Sequence, residues 1–527
     1  MTPANPVSSA SVDASDLAAC LIQQIVDVHQ EWFVSENGGA PLETRLNEFE
    51  FYSSHGRLIF AAMTANGSCN WRVTNWSWKD EKLSLQATRR MGAEIATIEM
   101  VPRASARALM AGIAAARLAR SERLAQLLAR NLSGDETDAA PLAKVERATV
   151  SPGMRRDQPG RYARIILRLP RERIAATGIV AQSDPRNVDS LFSSALLWFT
   201  RVLATPKRPP LGRLLLIVEP NILKAAQQRH VLLRDWWRQR IELREIDAEW
   251  QQVKNVRPFE RKHIWRRRLN RFPPVHEEET NESAAQIIAG APLAIDSVAS
   301  QHGQTLRYHG LPFARVRRVL GKERVWFGIE GSHRRVLDRF HERDWSKLND
   351  DLQTYRTHSC RDRHHWLYRA SGEAWLESIL RRDIRRLDPG LIIAPIHTQF
   401  RTSHGTTARA GGARPIDLLA LRHDGRLVVI ELKVSEDREH VFQGIDYWRR
   451  VEAHRRRGHI SAAKLFGERE ISDESPLVYL VAPTLRFHPS FTTLAKTIAP
   501  DIEIYRFDIN EDWRAGVRVV RRERVNA

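Results

Sequence analysis

The chain has 527 residues, 42% of them hydrophobic, and 82 Lys and Arg against 63 Asp and Glu give it a formal charge of +19. That length allows roughly three or four domains of about 150 residues each, and no apolar run approaches the ~20 residues that span a bilayer, which excludes a membrane-spanning class. The excess charge is mostly arginine and the isoelectric point is near 10.3, so a polyanionic partner is expected, nucleic acid first, because guanidinium groups grip phosphate in bidentate fashion.

Residues 1–15 are rich in Ser, Ala and Pro and are expected to be a disordered tail, with no basic segment leading into an apolar core, so cytoplasmic residence is the expectation. The cysteines, Cys20, Cys69 and Cys360, are few, odd in number and far apart, which fits a reducing compartment. A helix is expected over 16–33. From 48 to 102 the hydrophobic period becomes two, with runs at 49–54, 57–63, 71–78, 82–88 and 93–101 separated by His55-Gly56, Asn66-Gly67 and Met91-Gly92. This pattern predicts a small β-meander. Its Trp71, Trp76 and Trp78, beside Arg72, Lys79, Arg89 and Arg90, form either a core, the favoured reading, or a base-stacking surface. An Ala/Arg/Leu-rich helix over 104–132 closes an N-terminal domain, 16–132, and 133–141 reads as a linker.

Strand patterns at 162–169, 212–219 and 240–247 alternate with helical ones at 188–204 and 221–240, predicting a middle α/β domain over 142–250. The strand ending in Val218-Glu219-Pro220 faintly echoes the charged strand described below, without its lysine, and reads as structural or a silent relative. Residues 251–370 form a basic linker and mixed α/β region. Its densest basic stretch, 254–280, carries Trp265 and Phe272 and is either a phosphate-contacting arm or a solvated linker. The group His358, Cys360, His364 and His365 lacks the paired spacing of zinc ligands. Phosphate-loop and dinucleotide-binding glycine motifs do not occur.

The last region, 371–527, has the clearest organisation. A helix over 372–387, a strand over 391–399, a Gly/Ser/Thr/Arg-rich loop over 401–413, strands over 416–421 and 426–434, a helix over 437–457, a strand over 476–483, a helix over 489–497 and a strand over 501–508 are expected. The Asp424-Gly425 dipeptide between two β-rich runs predicts a hairpin. Alternation puts Leu427, Val429, Glu431 and Lys433 on one face and Val428, Ile430 and Leu432 on the other. Charges at the end of an apolar strand, with Asp417 nearby on the partner strand, are costly in a core unless they are paired or hold a metal. Glu373 and Glu377 fall on or beside the sheet-facing side of the first helix, with Glu377 favoured as the one aimed at the strands. Gln443 and Tyr447 stand four apart and share a helix face.

Taken together, Pro415-Ile416-Asp417, Glu431-Leu432-Lys433, Gln443 with Tyr447 and a preceding helical glutamate resemble the PD-(D/E)xK, or restriction-endonuclease-like, nuclease superfamily over about 371–508. The fold class expected is multidomain α+β, with a small N-terminal β domain plus helices and a middle α/β region, and the resemblance implies that the C-terminal α/β core is a mixed central sheet flanked by helices. It also implies a Mg²⁺- or Mn²⁺-dependent endonuclease acting on DNA, closest to the branch that takes single-stranded, branched or mismatched substrates. Asp417, Glu431 and the Leu432 carbonyl would hold the metal, which suits hard oxygen donors. Lys433 would orient or deprotonate the attacking water and stabilise charge on the phosphate, and Gln443, Tyr447 and Glu377 (or Glu373) would complete the site. Arg381, Arg382, Arg385, Arg386, Arg449, Arg450 and Arg455 to Arg457 are candidate backbone contacts. DNA is expected ahead of RNA, with protein partners or a homodimer possible and no membrane. The alternative is a catalytically silent or partner-activated nucleic-acid-binding protein of a repair or defence complex.

Overall fold

The computed structural model describes residues 12–37, 41–64, 67–79, 81–89, 92, 94–133, 143–153, 158–257, 259–265, 281–300, 303–319, 321–329, 335–393 and 417–527. The protein is multidomain and α+β, with four sheets among the described residues. No helix among them is long and apolar enough to cross a membrane.

Residues 1–11 of the expected tail lie outside the described residues, and 12–15 belong to the helix Val12–Val26. That helix stops short of the expected 33, because Glu31–Glu36 is a strand. Its Trp32 is fully buried, and the indole donates to the Val26 and His29 carbonyls at 3.2 and 2.9 Å. A seven-stranded antiparallel sheet then runs in the order Leu42–Arg45, Glu31–Glu36, Glu94–Pro102, Lys82–Arg89, Gly67–Lys79, Arg57–Thr64, Phe49–Ser54. The period-two segments thus form the expected meander, with two further strands on one edge. Trp71 is buried and Trp76 and Trp78 pack on the same core, so the tryptophans are structural. Asn66, Arg90 and Met91 lie outside the described residues.

The long helix Arg103–Ser133 packs Leu124, Ala125 and Leu128 against the second sheet and so belongs to that unit as much as to the first. The 134–141 part of the expected linker lies outside the described residues. The second sheet runs Lys144–Val150, Ala163–Arg168, Arg173–Gly178, Leu211–Val218, Ile241–Ile246, Val253–Asn255. Three of its strands, Lys144–Val150, Arg173–Gly178 and Val253–Asn255, were not expected from the sequence, and the helix expected over 221–240 is two, Pro220–His230 and Asp235–Arg240. Glu219 accepts from the Trp250 indole at 3.1 Å and sits at the N-cap of the first of them, which gives it a structural role.

A five-stranded antiparallel meander, Ile295–Ser300 to Arg335–Val336, follows, with the helices Glu282–Gly290 and Glu342–Tyr355 packed on it. Most of the basic run, 266–280, lies outside the described residues. Trp265 before it docks on Trp448, ring centroids 6.2 Å apart. In the histidine-rich segment His365 stacks on Tyr355 at 3.7 Å and Cys360 is buried.

The fourth sheet runs Leu391–Ile393, Leu418–Arg422, Leu427–Leu432, Leu477–Pro483, Ile504–Ile509, Val519–Arg524. Each expected helix and strand of 371–527 has a counterpart among the described residues, most of them shorter, and Val519–Arg524 is additional. Residues 394–416, which include the rest of the expected 391–399 strand, the Gly/Ser/Thr/Arg-rich loop and Pro415-Ile416, lie outside the described residues. The sheet is sandwiched: Val428, Ile430 and Leu432 meet Trp375, Leu376 and Leu380 of the helix Gly372–Arg382, while Leu427 and Val429 meet Tyr447 and Val451 of the helix His440–Arg455. Full burial of each such side chain stabilises by about 1.5–3 kcal/mol.

The second and fourth sheets share one plan. In each, successive pairings along the sheet are antiparallel, antiparallel, parallel, parallel and antiparallel. Each has an α-helix before the first strand and further α-helices between the third and fourth and between the fourth and fifth strands, one and then two in the second sheet, two and then one in the fourth. Each is also preceded by an antiparallel meander. The two units meet through equivalent elements, as the protomers of an isologous dimer do. Helix Val188–Leu203 packs on helix His440–Arg455 with Phe192 and Phe442 rings 5.7 Å apart. Leu233 bridges Ile498 in antiparallel fashion, each residue lying just beyond the first α-helix after the fourth strand of its sheet. Buried Arg229 of one unit contacts Asp446 of the other at 2.6 Å and its own Asp189 at 2.7 Å.

Candidate active site

The hairpin that carries the charged strand is set locally. Gly425 takes φ +79°, a conformation that favours glycine, and its N–H donates to the Arg422 carbonyl at 2.9 Å. The register Leu418 to Ile430 and Leu421 to Leu427 places Asp417 opposite Glu431 on the next step. Asp417 Oδ2 accepts the Leu432 N–H at 2.8 Å. Lys433 Nζ donates to Glu431 Oε1 at 2.8 Å and lies 3.7 Å from Glu373 and 3.9 Å from Asp437.

The electrostatics follow from this crowding. Burial, and then the Glu431 charge, push the Asp417 carboxyl well above the usual carboxylate range, with Lys433 offsetting only part. Burial works against the charge on Lys433, but Glu431, Glu373 and Asp417 outweigh it and raise its pKa. Lys433 is therefore a cation that keeps its proton and donates hydrogen bonds, which fits the expected role of orienting the attacking water and not that of deprotonating it. Glu431 is 1% exposed and its Oε2 is buried with no hydrogen-bond partner.

The two helical glutamates divide the position between them. Glu373 stands by Lys433, whereas Glu377 is buried deeper, near Arg381 Nη1 at 3.5 Å and Arg307 Nη1 at 3.6 Å. Burial pushes the Glu377 carboxyl up, the two arginines oppose this, and its charge is felt at Asp417. Tyr447 is buried beside both strand carboxylates, which, after burial itself, push its phenol up. Gln443 directs its Nε2 to Asp437 and Glu439, each at 3.4 Å, leaving its buried Oε1 without a partner. It thus meets Lys433 through Asp437.

Three residues that sequence reasoning missed complete the site. Asp437 links Lys433 to Gln443. His440 Nε2 lies 3.2 Å from the Glu431 carbonyl, to which it must donate, and burial followed by the Lys433 charge pushes its pKa down to about 3. Arg307 reaches Glu377 from the five-stranded meander and is itself fixed by Asp296 at 2.7 Å. Asp437 and His440 lie within ten residues of Lys433 and could have been found by proximity; no local signal marks Arg307.

Several of the expected backbone-contacting arginines are paired within the fold. Arg449 pairs with Asp446 at 2.7 Å and Arg450 pairs with the same carboxylate. Arg455 and Arg456 converge on fully buried Glu452 at 2.7 and 2.5 Å, and Arg457 donates to the Ala453 and Trp265 carbonyls. Arg381 turns to Glu377, and Arg385 and Arg386 to Asp383 at 3.5 and 3.4 Å. Arg381, Arg449, Arg450 and Arg455 are held by buried carboxylates, whereas Arg382, Arg385, Arg386 and Arg456 stay exposed. A different basic surface adjoins the site: a cleft of about 730 Å³ opens beside Glu373 and Val434 and is rimmed by Arg363, Arg369, Arg486 and Arg514.

Among the described residues no three His, Cys, Asp or Glu side chains gather as a metal centre. The donor set here is two carboxylates and a main-chain carbonyl. It suits an ion that keeps most of its own waters. The raised Asp417 and the partnerless Glu431 Oε2 mark a deficit of positive charge that such an ion would relieve. Comparison of the chain with protein-family models, with curated proteins and with solved structures gives no match.

Proposed function

We propose that the C-terminal unit is a restriction-endonuclease-like core and that the protein is a divalent-metal-dependent nuclease hydrolysing phosphodiester bonds of DNA. The observation that carries this reading is the juxtaposition of half-buried Asp417 with buried Glu431 and Lys433, the lysine 2.8 Å from Glu431, at the edge of an arginine-rimmed cleft. Asp417, Glu431 and the Leu432 carbonyl would hold Mg²⁺ or Mn²⁺, which supplies Lewis acidity and a more acidic water. Lys433, kept charged by its carboxylate neighbours, orients the attacking water and offsets the charge that grows on the phosphate. Glu373 and Asp437 fix the ammonium from two sides, Gln443 steadies Asp437, and His440 holds the Glu431 main chain. Arg363, Arg369, Arg486 and Arg514 draw the backbone into the cleft.

A partner-activated form of the same reading has one observation in its favour: Lys433 occupies Glu431 Oε1, so a shift of the lysine would free that oxygen. Incubation with plasmid, single-stranded and branched DNA, and RNA, with Mg²⁺ or Mn²⁺, tests the proposal. Cleavage by wild type that is lost in Asp417→Ala and Lys433→Ala is expected. Equal cleavage by wild type and both variants would overturn it.

A further inference from the structure

Among the described residues there is one such carboxylate–lysine set but two units of the same plan. In the first unit the counterpart of the charged strand is Arg173–Gly178, not the Leu211–Val218 strand that precedes Glu219. Ala175 and Ile179 join the core under helix Val188–Leu203, while Ile174 and Ala176 join the core under helix Arg103–Ser133. The face that holds Glu431 and Lys433 in the second unit therefore carries Thr177 and Ile179 in the first. Among the described residues this strand face therefore lacks the carboxylate and lysine of the second unit.

Arginines gather there instead. The neighbouring strand aligns Arg164 with Thr149 and Ile166 with Arg147, which puts Arg147 and Arg164 on one face. Arg201 comes from helix Val188–Leu203. Arg438 comes from the second unit, where its carbonyl accepts the Ser193 hydroxyl at 3.1 Å. Burial, followed by the charges of Arg201, Arg147 and Arg438, pushes the Arg164 pKa down. The Arg164 Nε is buried with no hydrogen-bond partner. Among the described residues no carboxylate pairs with any of the four: nearby Glu146 is held by Arg173 at 2.9 Å, and Arg438 Nε contacts His488 at 3.0 Å. Arg147 and Arg201 are exposed. Like charges held together without a counterion are unfavourable, and an anion relieves them. The cluster also adjoins the candidate active site, since Arg438 follows Asp437, which lies 3.9 Å from Lys433.

We propose that Arg147, Arg164, Arg201 and Arg438 form a phosphate site through which the non-cleaving unit holds the backbone of the DNA that the other unit cuts. This rests on DNA being the ligand and not on cleavage taking place. The test is binding of a short fluorescent duplex by the full chain in chelator, followed by anisotropy across a salt series. Arg147→Ala/Arg201→Ala alters only exposed side chains, so its folding is not at issue, and Arg164→Ala is measured beside it. The matched control is Arg343→Ala/Lys347→Ala, an equal loss of charge on the exposed face of helix Glu342–Tyr355. For the arginine pair the log–log salt slope should fall by about 0.9 per lost contact, with affinity about tenfold weaker at moderate salt and no change in sequence preference. An unchanged slope, an equal loss in the control, or no binding by wild type would overturn the proposal. Wild type that binds with this arginine dependence but does not cut with Mg²⁺ or Mn²⁺ would support the phosphate site and refute the nuclease reading.

Discussion

Replacing Lys433 by Met removes the one cation in hydrogen-bond contact with Glu431 while keeping most of the side-chain volume. Glu431 is 1% exposed and its other oxygen is already partnerless, so the substitution leaves a buried carboxylate facing Asp417 with no counterion. Breaking a buried pair in this way costs about 3–5 kcal/mol. For a unit of this size about 3 °C of melting temperature goes with each kcal/mol, so the transition of the second unit should fall by about 10 °C in chelator. Glu431→Gln combined with Lys433→Met removes both charges and should recover most of that loss while remaining inactive. Calorimetry on the two single variants, the double variant and wild type gives the coupling energy directly. A Lys433→Met melting temperature within a degree of wild type would refute the reasoning, because the pair would then be solvated and the strand end merely a surface feature.

Asp417→Asn should abolish cleavage yet stabilise the metal-free protein at neutral pH. A carboxyl whose folded pKa is raised contributes stability below its ordinary value of 3.8 and loses it as pH rises through the folded value. Melting temperatures taken from pH 4 upward should therefore decline in wild type relative to the variant, and parallel profiles would count against the buried carboxylate pair. Asp446→Asn should destabilise by about 3–5 kcal/mol, because Arg229, Arg449 and Arg450 lose their shared carboxylate at the junction of the units. Burial opposes the Asp446 charge, but those arginines hold its pKa well below the usual range, so this contribution persists at neutral pH and is lost only as pH falls through that depressed value. A melt unchanged by Asp446→Asn would show that the junction does not depend on it. With one carboxylate–lysine set among the described residues, supercoiled plasmid should accumulate as nicked circles before any linear form appears; linear product without a nicked intermediate would require a second site or a dimer.

The candidate site was legible in the sequence where its geometry is local. Alternation along 427–433, the Asp424-Gly425 turn and the four-residue spacing of Gln443 and Tyr447 are properties of single elements, and each fixes a face without knowledge of the rest of the chain. Sequence reasoning failed where a charge is matched by a residue distant in the chain. Arg449 and Arg450 read as free cations because their link through Asp446 to Arg229 crosses between units, and Arg307 carried no signal because it reaches Glu377 from another domain.

By itself, then, the sequence determined the α+β character, the order of elements in 371–527 and a carboxylate–lysine strand that required an explanation. Only the tertiary structure decided that residues 103–255 repeat the plan of the C-terminal unit. A sheet core demands only apolar residues at alternate positions, so Ala175 under helix Val188–Leu203 serves the packing role of Val429 under helix His440–Arg455 with no residue in common. The plan persists in strand direction and in which helix covers which face, and these are properties of the assembled sheets that hydropathy along the chain does not encode.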